Sequence, residues 1–145
     1  MRTLAAEIAR ILRPGDAVLL NGPLGSGKTL LAGEIARQRI PDAQVSSPTF
    51  AIVNIYDDAD GGHLTHVDTY RLSSAAEYLD LGLLETSEDT VSLIEWGALV
   101  RDLYPKAMIV DLRLSTASPD LRDVVIEGPD AVWSRRVLAL SAPLD

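Results

Sequence analysis

Residues 22–29 read Gly22-Pro23-Leu24-Gly25-Ser26-Gly27-Lys28-Thr29, a complete G-x-x-x-x-G-K-[ST] phosphate-binding loop. The apolar run Ala17-Val18-Leu19-Leu20 precedes it, and the helix-forming stretch Leu30-Leu31-Ala32-Gly33-Glu34-Ile35-Ala36 follows. Strand, loop, helix is the context in which this pattern has a mechanism. Successive backbone N–H groups converge on the phosphates, and the helix dipole adds positive potential behind them. The candidate nucleotide-binding residues are Gly22, Leu24, Gly25, Ser26, Gly27, Lys28, Thr29 and Leu30. Lys28 is placed to reach the β- and γ-phosphates, and the Thr29 hydroxyl to ligate Mg²⁺. The expected ligand is a nucleoside triphosphate.

Outward from the loop, the pattern alternates between helix and strand. Leu4, Ile8, Ile11 and Leu12 form an apolar stripe at helical spacing, with Thr3 as the expected cap and Pro14-Gly15 as the stop. A strand over 16–21 leads into the loop, and a helix over 28–39 leaves it, ended by Pro41. Residues 50–56 read as a strand, 57–62 as a solvated turn, and 63–67 as a second strand. A short helix over 75–81, a buried strand over 91–95 and a short helix over 98–103 follow. Residues 108–114 and 121–127 alternate like paired antiparallel strands, and Gly128-Pro129-Asp130 opens a last helix with Pro in its first turn. The expected fold is α/β, a three-layer arrangement like that of P-loop NTPases. Its mixed sheet has parallel core strands and antiparallel flanking strands, in one domain over 1–145.

Composition narrows the function classes. With 145 residues, 47% of them hydrophobic, a domain of this size buries roughly two-thirds of its unfolded surface. No apolar run approaches the ~20 residues that span a bilayer, and no signal-peptide core is evident, so a cytoplasmic protein without membrane association is expected. The absence of Cys excludes disulfides and thiolate metal sites. A net charge of −8 argues against autonomous nucleic-acid binding, which relies on Lys and Arg to neutralise phosphates; service to an RNA pathway through basic partners remains open.

Hydrolysis needs a carboxylate near the metal and a group that positions the nucleophile, at the carboxyl ends of strands where an open α/β sheet binds its ligand. Glu95 ends one such strand and Asp68 another, and both are candidates for the metal site. His63 and His66 lie three apart on a strand and so face opposite sides, which disfavours a shared zinc. His66 shares a face with Asp68 and either orients it or packs in the core. The segment 57–62 lacks the alternating acids of a calcium loop. In Val45-Ser46-Ser47-Pro48-Thr49-Phe50, Pro48 stiffens the turn, and Thr49 is a candidate to present its hydroxyl to the γ-phosphate or metal.

The phosphate loop, Ser47-Pro48-Thr49-Phe50, His66-Val67-Asp68-Thr69-Tyr70-Arg71-Leu72 and Ile94-Glu95-Trp96-Gly97 occur together and in this order. In this set the chain resembles, over nearly its whole length, the bacterial TsaE (YjeE) family, small ATPases of tRNA threonylcarbamoyladenosine biosynthesis. The resemblance implies an Mg²⁺-dependent ATPase, weak alone, that is not itself the transferase. It implies binding to the threonylcarbamoyl-transferring subunit (TsaD) and its partner (TsaB), with contact to tRNA only indirect. Hydrolysis of ATP is then linked to repeated modification of adenosine-37 in ANN-decoding tRNAs. Carried over by motif, Thr29 and Glu95 are the Mg²⁺ ligands. Asp68, Lys28 and Thr49 in the 47–50 switch contribute to hydrolysis or its coupling.

Family members usually carry a short segment ahead of the first helix that helps enclose the base, whereas this chain begins almost at that helix. They often place a Gly-Arg pair near the penultimate strand, where Asp120-Leu121-Arg122 stands here, so Arg122 is the candidate base contact. No Asn-Lys-x-Asp element for guanine exists; Asn54-Ile55-Tyr56-Asp57 lacks the Lys. The alternatives are a small-molecule P-loop kinase, which needs an acceptor pocket and an arginine-bearing lid, and a non-catalytic nucleotide-dependent scaffold.

Overall fold

The strand that feeds the phosphate loop is interior to a six-stranded sheet of order β2-β3-β4-β1-β5-β6. A computed structural model describes residues 1–40, 53–59 and 61–140. The strands are β1 (Ala17–Asn21), β2 (Val53–Asp57), β3 (His63–Asp68), β4 (Thr90–Glu95), β5 (Met108–Leu114) and β6 (Arg122–Glu127). The helices are α1 (Arg2–Ile11), α2 (Lys28–Arg39), α3 (Ala75–Leu79) and α4 (Ala131–Leu138), with 3₁₀ segments at Leu84–Asp89 and Gly97–Leu103. The β3–β4, β4–β1 and β1–β5 pairs are parallel, while β2 and β6 run antiparallel along the edges. The expected mixed sheet is therefore the one observed.

The sheet is covered on both faces, which is why its central strands read as near-continuous apolar runs. Side chains alternate across a strand, so Val18 and Leu20 of β1 point into the core shared with Ile8, Ile11, Leu31 and Ile35 of α1 and α2. Leu19 points the other way, into a second core with Val67, Ile94, Val100, Tyr78 and Tyr104. These two cores make three layers, with α1 and α2 on one side of the sheet and α3 and the Gly97–Leu103 segment on the other.

Several boundaries differ from expectation for local physical reasons. Helix α1 starts at Arg2 with Met1 as its cap residue, because the Met1 carbonyl already accepts from the Ala5 N–H at 2.9 Å, so Thr3 lies inside the helix. Residues 97–103 wind as a 3₁₀ segment: Trp96 enters it in the left-handed region (φ 58°), and a Cβ on Gly97 would lie 2.5 Å from Leu19 Cβ. Helix α3 stops at Leu79. Pro129 lies outside α4, whose cap is Asp130, with Oδ1 accepting from Trp133 N–H at 3.0 Å. The turn after β2 is not wholly solvated. Asp58 is buried, taking Arg39 Nε at 3.1–3.2 Å and Nη2 at 2.8 Å. Arg39 also donates to Ala9 O and Leu12 O at 2.9 and 3.0 Å, tying α1, α2 and the β2–β3 hairpin together. The expected stop at Pro41 and the strand start at 50–52 lie outside the described residues.

Candidate nucleotide site

Register brings the candidates together. In the parallel ladders Leu20 of β1 faces Glu95 of β4, and Glu95 faces Asp68 of β3, so three strands end at one level. The chain leaving β1 turns at Gly22 (φ +148°), where a Cβ would lie 2.5 Å from Leu112 O and 2.6 Å from Ser26 Oγ. Only glycine fits that close approach. The loop then closes onto α2 at Gly27, itself left-handed (φ 104°). The amides of Lys28, Thr29 and Leu30 form the first turn of a 12-residue helix, and first-turn amides lack intrahelical acceptors.

Thr29, at the start of that helix, reaches across to β4: its Oγ1 donates to Glu95 Oε1 at 2.6 Å. The other carboxylate oxygen, Oε2, lies 2.7 Å from His66 Nε2 of β3. Glu95 and His66 are 2% and 0% exposed, so their contact is buried, and Thr29 meets it from the exposed outer end. Backbone geometry holds it as well. Thr69 Oγ1 donates to Glu95 O at 3.0 Å and Trp96 O at 2.9 Å.

Lys28 lies across the mouth of the loop. Its Nζ donates to Gly22 O at 2.6 Å and Pro23 O at 2.9 Å and sits 4.0 Å from the centre of the Trp96 ring. Burial pulls its pKa below the ordinary lysine value, against the opposing pull of the Glu95 and Asp68 carboxylates. Removing a lysine from water disfavours the ammonium form. Ser26 Oγ is buried with no hydrogen-bond partner among the described residues.

Asp68 is half-buried beside Glu95, and its Oδ1 accepts from Tyr70 N–H at 2.9 Å. His66 meets Glu95 instead of orienting Asp68; the shared face on β3 was legible, but the partner comes from the neighbouring strand. His63 is half-exposed and pairs with Asp57. Arg122 reaches the loop from the start of β6, giving Nε to Ser26 O and Nη2 to Gly25 O, both at 3.2 Å, and Nη1 to Pro119 O and Leu121 O. It therefore braces the outer side of the loop. Thr49 and the rest of the 47–50 segment lie outside the described residues.

Two clefts flank the loop. One, of about 580 Å³, is lined by Met1, Leu4, Gly27, Leu30, Leu121 and Arg122. The other, of about 590 Å³, lies at the Gly22 end among Asn21, Tyr70, Leu72, Trp96 and Leu99. Its rim is the exposed Tyr70 ring, 5.1 Å from Trp96. The links through His66, Trp96 and Thr69 were not legible in spacing, because each depends on which strands are neighbours.

Comparison with known proteins follows this geometry. The family described as "Threonylcarbamoyl adenosine biosynthesis protein TsaE" matches residues 1–124. A Streptomyces coelicolor protein of that name is 34% identical over 139 residues, covering 92% of this chain and 94% of the relative. One from Rickettsia bellii is 38% identical over 117 residues (78% and 79%), and one from Mycobacterium tuberculosis 38% over 124 residues (80% and 73%). The crystal structure of Bacillus subtilis YdiB superposes with a TM-score of 0.72 at 24% identity, over 94% of this chain and 84% of that one, a likeness of fold.

Proposed function

Because the chain belongs to the TsaE family of tRNA threonylcarbamoyladenosine biosynthesis proteins, we propose that it is an ATP-binding, Mg²⁺-dependent ATPase of that pathway. The observation that carries this reading is the 2.6 Å bond between Thr29 Oγ1 and the buried Glu95 carboxylate. It brings two side-chain oxygens together beside the phosphate loop, which supports a metal site there. Hard cations take such ligands, and Mg²⁺ characteristically uses one or two carboxylates plus substrate phosphates instead of an all-protein cage. Among the described residues no cluster of three His, Asp or Glu side chains forms such a cage. Thr29 and Glu95 would hold Mg²⁺, which would supply Lewis-acid neutralisation of the charge that develops during phosphoryl transfer.

The other residues act on ATP directly. Lys28 exchanges its two loop carbonyls for phosphate oxygens, a move within reach of its flexible stem. The amides of Gly22, Leu24, Gly25, Ser26, Gly27, Thr29 and Leu30 bind the phosphate chain, and the unpartnered Ser26 hydroxyl adds a donor. The nucleoside enters the cleft walled by Met1, Leu4, Leu30 and Leu121, with Arg122 holding loop and base side together. Asp68, one strand from Glu95, orients the attacking water, and Thr49 supplies a hydroxyl from the 47–50 switch.

The protein works in the cytoplasm with the transferase pair TsaD and TsaB and meets tRNA only through them. Its charge of −8 supports that indirect contact. The cleft bordered by Tyr70 and Trp96 supports a partner surface adjoining the reacting end of the phosphates. The test is phosphate release with and without the TsaD–TsaB pair, alongside adenosine-37 modification under multiple turnover. Wild type should sustain repeated rounds only with hydrolysable ATP. Equal product from Lys28→Ala and Asp68→Ala variants would defeat the reading, and phosphate transfer to a small-molecule acceptor would put a kinase in its place.

A further inference from the structure

We infer that His66 is a positioning residue for Glu95: it ties one carboxylate oxygen inward so that the other is presented to Thr29 and the metal. This rests on the metal reading of Glu95 given above.

A carboxylate on a strand end has rotational freedom about its last torsion. Here both oxygens are committed: Oε2 lies 2.7 Å from His66 Nε2 and Oε1 2.6 Å from Thr29 Oγ1. A carboxylate serving as a metal ligand only accepts hydrogen bonds, so on the metal reading the donor in this contact is His66 Nε2. The imidazole is fully buried, and among the described residues its Nδ1 has no hydrogen-bond partner. A histidine present only to fill space would be a poor choice at this position, because a buried polar atom without a partner is destabilising. Among the described residues the ring's one polar contact is with Glu95.

The surrounding ladder makes the arrangement rigid. In the β3–β4 register His66 faces Leu93, one side-chain step below the Asp68–Glu95 pair, so the imidazole lies on Glu95's face of the sheet and can reach it without distortion. Thr69 fixes the Glu95 and Trp96 carbonyls. Outer-shell partners of this kind orient metal ligands and typically alter affinity 10–100-fold when removed.

The test compares wild type with His66→Ala, His66→Gln, His66→Asn and Glu95→Gln. The Mg²⁺ concentration for half-maximal hydrolysis is measured at saturating ATP. ATP affinity in EDTA is measured by calorimetry, and the tautomer of the His66 ring by ¹⁵N NMR on nucleotide-free protein. His66→Ala should raise the Mg²⁺ requirement by about tenfold and change metal-free ATP affinity by less than about twofold. Gln carries an amide nitrogen near the Nε2 position and should recover most of the effect, whereas the shorter Asn should not. The Gln–Asn contrast decides the matter even where the Ala variant fails to fold. The ring should carry its proton on Nε2, with a resonance that moves in Glu95→Gln. Equal shifts for Gln and Asn, or a proton on Nδ1, would overturn the inference. A shift in Glu95→Gln with none in His66→Ala would overturn it alone. No shift in Glu95→Gln would overturn the metal reading and the inference together.

Discussion

Replacing Lys28 by Met separates what this residue does for ATP from what it does for the fold. The side chain keeps its stem and loses the ammonium, which in the free protein donates to Gly22 O and Pro23 O and stands over Trp96. In the proposed ATP complex the ammonium would make charge-assisted bonds to phosphate, each about 1.5–3 kcal/mol. The two loop carbonyls it gives up offset part of that gain. A net loss of about 2–4 kcal/mol is expected, roughly 30- to 700-fold in Kd at 1.4 kcal/mol per decade. Stability should change by less than about 1 kcal/mol, because the lost bonds to two partly buried carbonyls are offset by release of an ammonium that burial holds below its ordinary pKa. Calorimetric titration and urea denaturation on the same preparation measure both quantities. The lowered pKa also sets a pH sign. The free protein loses the Lys28 proton below the ordinary lysine value, so ATP affinity should be flat at neutral pH and weaken on the alkaline side before an ordinary lysine would titrate. The Met variant should show no such limb. Unchanged affinity in a folded variant, or stability lost by several kcal/mol, would refute the placement of Lys28 as a ligand-facing group.

Other outcomes follow from particular contacts. Thr29→Ala and Glu95→Gln should each cut Mg²⁺-dependent hydrolysis at least tenfold while leaving ATP affinity in EDTA nearly unchanged, measured by phosphate release and calorimetry. Arg39→Met should lower the free energy of unfolding in urea by about 3–5 kcal/mol, because it removes the buried guanidinium paired with the Asp58 carboxylate; Asp58→Asn added to it should restore part of the loss. Tyr78 and Tyr104 share a buried hydroxyl contact at 2.6 Å, and burial pushes both phenols up. The unfolded chain therefore ionises first, so stability is full below the ordinary tyrosine pKa and falls as pH rises above it. Tyr78→Phe should flatten that alkaline loss at a neutral-pH cost of about 1 kcal/mol, followed by thermal melting across pH. Tyr70→Ala should leave ATP affinity intact and reduce stimulation of hydrolysis by the transferase pair, measured by phosphate release with and without it.

Much of the architecture was legible because it rests on local rules. The phosphate loop announces a strand before it and a helix after it, and β1 and α2 occupy Ala17–Asn21 and Lys28–Arg39. Alternation over 108–114 and 121–127 marks the antiparallel pair β5–β6. Where an end depends on a contact from elsewhere, sequence pattern misplaces it. Asp58 reads as a solvated turn residue because nothing near it in the chain is basic. Its partner Arg39 comes from α2, 19 residues earlier. The segment 97–103 starts with Gly97 backed closely against Leu19 of β1, where a Cβ would clash, a neighbour that helical periodicity does not report.

The site divides along the same line. Residues whose chemistry lies in one contiguous motif, Gly22 to Thr29, are readable from their order alone. Those whose chemistry is made by adjacency between strands are not. Glu95 and Asp68 could be named as strand-end acids, but their roles differ through neighbours: Glu95 is buried between Thr29 and His66, whereas Asp68 is half-buried and caps the following turn through Tyr70 N–H. Burial and a fixed rotamer suit a ligand that must hold geometry. Partial exposure and a single backbone bond suit a group that meets a mobile water. Trp96 joins the two, since its main chain continues from Glu95 in a left-handed conformation while its ring covers Lys28 and lies against Tyr70. The exposed Tyr70 ring is thus linked through Trp96 to the loop lysine and the buried carboxylate, and the proposed tuning of hydrolysis by a partner would act on those contacts.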